Sequence, residues 1–344
     1  MKTLPKPDGS YHVGSVTHEI TDASRASHVA SHDLGRRIFV KFWYPASESA
    51  PHTGRRELLW EQLRGASDIP GFARLLLRPA MKVTTNSHHG AQYATNVGPA
   101  RVLIYSHGLI SFASENSMLM EHLASYGYVM LALQHLDQLA EFRALQHAQS
   151  KEQRQEQAAL ERRIKTTVRE EGAALWRQYF AISSNTNRIV AARAVDVEHA
   201  VTVLGTLLEA IPGFDRVSPA ELVGVVGLSL GGAVATEYAK RNAGVGCVVN
   251  FDGGIYGEQR DKPVSQRYLM LCSQESDGAN ALSLQTIDGI EITTKTISGT
   301  KHLNFHDIAA VYPMLRWLRV IGSASPIAVI SERNRLTSDF VRRA

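Results

Sequence analysis

Ser229 stands in Gly227-Leu228-Ser229-Leu230-Gly231, between an apolar run (Leu222, Val223, Val225, Val226) and a helical pattern carrying Ala233, Ala235, Tyr238 and Ala239. Strand, sharp turn and helix in that order turn a common G-x-S-x-G string into a candidate nucleophile elbow. A serine at the tip of so tight a turn sits in strained backbone, so the positions two before and two after it must lack bulk. Gly227 and Gly231 meet that need. The N–H of Leu230, at the helix start, is then a candidate donor to a developing oxyanion. The competing reading is a serine that only caps the helix; the flanking strand and helix patterns favour the first.

A serine hydroxyl needs a general base, and the base needs an orienting acid. Two histidines follow Ser229, His302 and His306. His302 lies in the loop Ser298-Gly299-Thr300-Lys301-His302 directly after the last apolar strand pattern, whereas His306 falls one turn into a following helix and is less free to reach the hydroxyl. The acid has two candidates that spacing leaves level. Asp252 ends its strand in Asn250-Phe251-Asp252-Gly253-Gly254, and Asp277 follows the next strand in Ser273-Gln274-Glu275-Ser276-Asp277. A second donor turn, Ser106-His107-Gly108-Leu109, follows the apolar run Val102–Tyr105 and offers the N–H of Leu109. His107 reads as a structural histidine under that turn.

These side chains must be placed by strand ends. Tyr11 to Asp22 and Arg36 to Tyr44 alternate as an antiparallel leading edge, ended by Pro45. Val102 to Tyr105, Tyr128 to Leu133, Leu222 to Val226, Gly246 to Phe251, Tyr268 to Cys272 and Ile290 to Ile297 read as buried strands of a mostly parallel sheet. Helical patterns separate several of them, at Ser117 to Tyr126 with Gly127 as a stop and at Ile189 to Leu208 with Val197, Val201, Leu204 and Leu208 on one face. The expected fold is α/β, a mostly parallel central sheet flanked by helices, in a single domain over 1–344.

Within 46–100 a helix is expected at Glu57 to Gly65, and a basic-apolar segment, Phe72 to Met81, reads as a packed surface helix that could also touch lipid. The composition shifts to Gln, Glu, Arg, Lys and Ala over 137–187, which reads as a helical insertion and a candidate cap. Its aromatic end, Trp176, Tyr179 and Phe180, would dock it on the body or line an acyl pocket. Pro313 should break the helical pattern of Leu303 to Val320. Residues 323–344 form a C-terminal tail whose last part, Ser331 to Ala344, is polar, basic and expected to fray.

Bulk properties exclude several classes. Lys plus Arg number 37 against 33 Asp plus Glu, a net charge of +4 spread along 344 residues. Nothing there calls for nucleic acid, although a mildly basic surface favours anionic membranes. The two cysteines, Cys247 and Cys272, lie in apolar strand patterns and read as small buried hydrophobes, not as a disulfide framework. Neither a signal peptide nor an apolar run of about 18 residues is visible, so the expected location is cytoplasmic. No His/Cys/Asp set has metal-ligand spacing, and no cofactor is expected.

Several segments taken together resemble the platelet-activating-factor acetylhydrolase family, the secreted and intracellular type II group and its bacterial relatives, over most of residues 4–320. They are Leu4-Pro5-Lys6-Pro7-Asp8-Gly9 with Tyr11, Val13 and Gly14; Phe42-Trp43-Tyr44-Pro45; Ser106-His107-Gly108-Leu109; Leu123-Ala124-Ser125-Tyr126-Gly127-Tyr128; Arg193 to Asp196; the Ser229 elbow; Phe251-Asp252; and Lys301-His302-Leu303-Asn304-Phe305. The resemblance implies an α/β-hydrolase fold with Ser229, Asp252 and His302 as the triad and the N–H groups of Leu109 and Leu230 as oxyanion donors. It also implies a metal-independent serine esterase acting through an acyl-enzyme on short-chain acyl esters, phospholipids like platelet-activating factor included. Leu228 and Leu230 stand where the family carries His and Phe or a small residue; this bears on acyl and head-group preference. The rival readings are thioesterase, lactonase or polyester hydrolase chemistry on the same triad, and a non-catalytic ligand-binding relative.

Overall fold

The apolar runs of the sequence become one twisted sheet. The protein is described by a computed structural model covering residues 2–25, 35–49, 55–59, 83–135, 150–166, 169–214, 220–260, 262–276, 279 and 292–343. Its strands are β1 (Lys2–Thr3), β2 (His12–Asp22), β3 (Arg36–Ala46), β4 (Arg55–Leu58), β5 (Val83–His89), β6 (Ala100–Ser106), β7 (Tyr128–His135), β8 (Ala220–Leu228), β9 (Cys247–Phe251), β10 (Arg267–Ser273) and β11 (Ile292–Ile297). They lie in the order β1-β5-β2-β3-β7-β6-β8-β9-β10-β11, with β4 paired to β5. From β7 to β11 every neighbouring pair is parallel, whereas β2, β3 and β7 pair antiparallel.

Alternation along the strands divides the core in two. Val102 and Ile104 of β6 face one cluster, with Val190, Ala194 and Val197 of α4 (Ser184–Thr202) and Val234 and Tyr238 of α6 (Leu230–Arg241). Leu103 and Tyr105 face the other, with Leu119, Met120 and Leu123 of α1 (Ser117–Ser125) and Val329, Phe340 and Val341 of α8 (Pro326–Val341). A sheet buried on both faces needs apolar residues at every position, which is why β6 and β7 read as unbroken apolar runs. The remaining helices are α2 (Lys151–Thr166), α3 (Arg169–Ile182), α5 (Leu204–Leu208) and α7 (Ile308–Val311).

Three expectations need correction. Residues 331–341 are not a frayed tail: α8 buries Arg333, Asn334, Thr337, Ser338, Phe340 and Val341 against the body. Its polar residues misled because several of them face inward. The helix expected from Glu57 begins instead inside strand β4, where Glu57 is buried and binds the ammonium of Lys41 at 3.0 Å; 60–65 lie outside the described residues, as do 72–81. Strand β3 also runs past Tyr44, with Pro45 paired opposite Val13. Pro313 does mark a break, between α7 and a 3-10 turn at Pro313–Arg316. Of 137–187, the described residues are helical through α2, α3 and the start of α4. No helix among the described residues is long and apolar enough to cross a membrane.

Candidate active site

The loops at the carboxyl ends of β6, β8, β9, β10 and β11 all open on the same edge of the sheet, so residues far apart in sequence meet there. Ser229 follows β8 with φ 57° and ψ −120°. A Cβ on Gly227 would overlap the carbonyl of Gly231, and one on Gly231 would overlap the carbonyl oxygen of Ser106. Both glycines are therefore obligatory: strand, helix and the neighbouring β6 turn close on each other with no room for a methyl group. The Ser229 hydroxyl makes no capping bond to α6, which removes the reading of Ser229 as a mere helix cap. Its N–H donates to the carbonyl of Phe251 at 2.8 Å, tying the β8 turn to the β9 turn.

Asp252, the next residue, also has positive φ, 57°. That backbone turns its carboxylate toward β10 and β11. It accepts His302 Nδ1–H at 2.7 Å, the N–H of Ser273 at 2.8 Å and the Ser273 hydroxyl at 2.9 Å, and the hydroxyl of Ser276. Burial opposes ionisation of Asp252, but the hydrogen bond and charge of His302, with the serine donors, outweigh it and hold the carboxyl below its ordinary range. Burial likewise opposes the imidazolium of His302, and the hydrogen bond and charge of Asp252 reverse it, holding that pKa above the ordinary histidine value. With Nδ1 committed to Asp252, Nε2 is the nitrogen left to take a proton. The His302 side chain is 45 % exposed while the Asp252 side chain is fully buried. Asp277 lies outside the described residues.

His306 does not join this pair. Its ring packs edge-on against Phe112, with centroids 5.6 Å apart. Burial, with the charges of Arg333 and His302, lowers its pKa to about 3, so it stays neutral.

The turn after β6 lies beside Ser229. His107 is fully buried; its Nε2 accepts the backbone N–H of His135 at 3.2 Å, which places the proton on Nδ1, 2.7 Å from the carbonyl oxygen of Gly108. The guanidinium of Arg193 reaches the carbonyls of His107 and Gly108, both at 3.4 Å. A trans peptide sends its N–H opposite to its C=O. Two donors holding the Gly108 carbonyl inward therefore turn the Leu109 N–H outward. A Cβ on Gly108 would lie 3.6 Å from Ser229 Cβ, so this turn borders Ser229. Among the described residues neither the Leu109 nor the Leu230 N–H has a hydrogen-bond acceptor.

Behind the turn stands an ionic cluster that sequence reasoning missed. Asp196, fully buried, accepts Arg36 through Nε at 2.6 Å and Nη2 at 2.7 Å, accepts His135 Nδ1–H at 2.7 Å, and pairs with Arg25 at 2.8 Å. His135 Nε2 in turn lies 3.1 Å from the hydroxyl of Ser106. Burial penalises the Asp196 charge, and the His135 and Arg36 hydrogen bonds overcome that and keep it ionised. The only signal in sequence was Arg193 to Asp196 within a helix otherwise apolar on that face; its partners lie 61 and 160 positions away. Trp176 and Phe180 stack at 5.2 Å, and Phe180 meets Tyr256 edge-on at 4.8 Å. The aromatic stripe thus seats α3 against the loop two residues beyond Asp252, since a Cβ on Gly254 would come within 3.1 Å of the Phe180 ring.

The platelet-activating factor acetylhydrolase, isoform II, family matches residues 1–344. A Schizosaccharomyces pombe protein named "Putative phospholipase A2" is 30% identical over 148 residues, 40% of this chain and 34% of that protein; the match spans about a third of that relative's length. Among solved structures, a ferulic acid esterase from Streptomyces cinnamoneus superposes with a TM-score of 0.68 at 18% identity, over 99% of this chain and 92% of the other. A dienelactone hydrolase from Anabaena variabilis covers 88% of this chain and 95% of its own, with a TM-score of 0.41 at 14% identity. The ferulic acid esterase shares the fold, an α/β-hydrolase. The chain belongs to the platelet-activating factor acetylhydrolase, isoform II, family.

Proposed function

We propose that this member of the family is a serine ester hydrolase that works through an acyl-enzyme. The observation that carries the reading is the 2.7 Å bond between Asp252 and His302 on the same sheet edge as the left-handed turn of Ser229. In this reading His302 Nε2 takes the Ser229 proton as the oxygen attacks the ester carbonyl. Asp252 holds the ring and stabilises the imidazolium. The Leu109 and Leu230 N–H groups receive the oxyanion. His302 returns its proton to the leaving alcohol; water, deprotonated by the same imidazole, then releases the acid and regenerates Ser229.

The family and the name of the fission-yeast relative support short-chain acyl esters, including phospholipids of the platelet-activating-factor kind, as substrates. An exposed segment supports delivery from a lipid surface: Met314, Trp317 and Leu318 are 57, 86 and 64 % exposed, beside exposed Arg316 and Arg319. Apolar side chains with interspersed cations suit an anionic interface. Sedimentation with phosphatidylserine vesicles should carry the wild type down and leave Trp317→Ser/Leu318→Ser largely in the supernatant; equal partition would remove the lipid-surface reading.

The central test is chemical. A fluorophosphonate should label the wild type once per chain, on Ser229. Ser229→Ala should lose labelling and about 10⁴-fold or more of kcat while keeping its circular-dichroism spectrum. Turnover near wild type in that variant would refute the assignment. An acyl-length series with oxygen esters and thioesters separates the esterase reading from thioesterase and lactonase chemistry.

A further inference from the structure

A second carboxyl stands behind the nucleophile and has no part in the reaction as written. Glu115 lies seven residues beyond Gly108, in the turn before α1, and is 1 % exposed. Its Oε1 accepts the N–H of Gly108 at 3.0 Å and the hydroxyl of Tyr105 at 2.6 Å. That hydroxyl accepts Asn116 Nδ2–H at 2.8 Å, and Arg333 donates to Asn116 Oδ1 at 2.7 Å, so the support runs back to α8. Oε2 is different. It is buried with no well-formed hydrogen bond among the described residues and lies 3.8 Å from His306 Nε2. It also comes within 3.5 Å of the point where a Gly108 Cβ would stand, itself 3.6 Å from Ser229 Cβ.

A buried carboxyl group with so few donors around its second oxygen ionises reluctantly. Holding the Gly108 N–H alone would not demand an acid, because a glutamine oxygen accepts the same bond. The groups facing Glu115 explain its behaviour. Tyr105 stays protonated because burial, reinforced by Glu115 itself, raises its pKa far above the ordinary value. His306 is neutral, Asp307 is a like charge, and Arg333 is held one residue away by Asn116 and Asp307. Burial raises the pKa of Glu115 to about 7, against the donors Ser111, Tyr105 and Gly108.

We infer that Glu115 is a positioning residue for ester hydrolysis: its side-chain oxygen holds the Gly108 N–H and so fixes the Gly108–Leu109 turn. The inference rests on the esterase reading above. Two substitutions test it. Glu115→Asp keeps the charge but withdraws the oxygen from the Gly108 N–H, so kcat should fall about 10- to 100-fold, within the range known for a displaced oxyanion donor, with KM little changed. Glu115→Gln keeps an acceptor and removes the charge. It should therefore keep most of the turnover that Glu115→Asp loses, a rescue that a role for the carboxylate in stability alone would not give.

A Glu115→Gln turnover as low as that of Glu115→Asp overturns the inference, as does a Glu115→Asp turnover equal to the wild type. Should Glu115→Gln not fold, Glu115→Asp decides alone. Fluorophosphonate labelling distinguishes the two levels of argument. An unlabelled wild type overturns the esterase reading and this inference together, whereas a labelled wild type with kinetically silent Glu115 variants overturns only the latter.

Discussion

Asp252 and His302 meet through one hydrogen bond and leave the imidazole 45 % exposed, whereas the Gly108–Leu109 turn is held by buried side chains of α4 and the loop before α1, and through His107 by a backbone N–H of β7. In the proposed reaction the two sides have different tasks. An imidazole that gives and takes protons must reach substrate and water, so it cannot be sealed. An oxyanion donor is useful only if it points the right way before the charge appears, because reorienting a dipole during the reaction would consume the stabilisation it offers. A buried network supplies that rigidity at the expense of desolvated charge.

The comparison can be broken at either side. The largest effect is expected at the acid: Asp252→Asn should reduce kcat about 10⁴-fold, as loss of the orienting carboxylate does in other triads. The same exchange at Asp277 should do far less. Reversal of that order in steady-state kinetics would move the acid one strand onward. Next in size, Asp196→Ala leaves Arg36 buried without its carboxylate and should lower the urea-measured unfolding free energy by about 3–5 kcal/mol, with the activity of the remaining folded molecules falling less than in Asp252→Asn. If stability is unchanged, the cluster is not what holds the donor turn. The smallest effect is expected at Ile110, a β-branched residue with φ 51° directly after the Leu109 donor. Ile110→Gly removes that strain while loosening the unfolded chain, for a net gain of about 1 kcal/mol or less in the urea midpoint analysis. A clear loss of stability would mean that the 45 % exposed side chain packs more than it strains.

What the sequence made legible follows the same division. Ser229 was readable because its constraint is local: a turn, two glycines two residues away, a strand before and a helix after. His302 was readable as the histidine in the last loop. Spacing could not choose between Asp252 and Asp277, since both follow apolar strands, and the carboxylate that meets His302 is a matter of backbone direction at one residue with positive φ. The donor turn was recognisable as a strand-end His-Gly pair, but its support was not. Arg36 and Asp196 are 160 positions apart, and no periodicity marks a salt bridge between a strand and a distant helix. Strand β5 was hidden for another reason: its sequence, Val-Thr-Thr-Asn-Ser-His-His, buries Thr84, Thr85 and Ser87 instead of apolar residues. In α8 the inward stripe passes through Arg333 and Thr337, which read as surface residues from composition alone.

Arg333 gives that misread helix its importance. Its Nη1 donates to Asn116, at the head of α1, and at 2.6 Å to the carbonyl of Phe305, in the short turn His302–Phe305. It also binds Asp307, whose second oxygen receives the N–H of Met118. A chain cut short before residue 333 would keep Ser229, Asp252 and His302 yet lack the guanidinium that ties the two loops together, so in the proposed reaction truncation there should cost turnover without touching a reacting group.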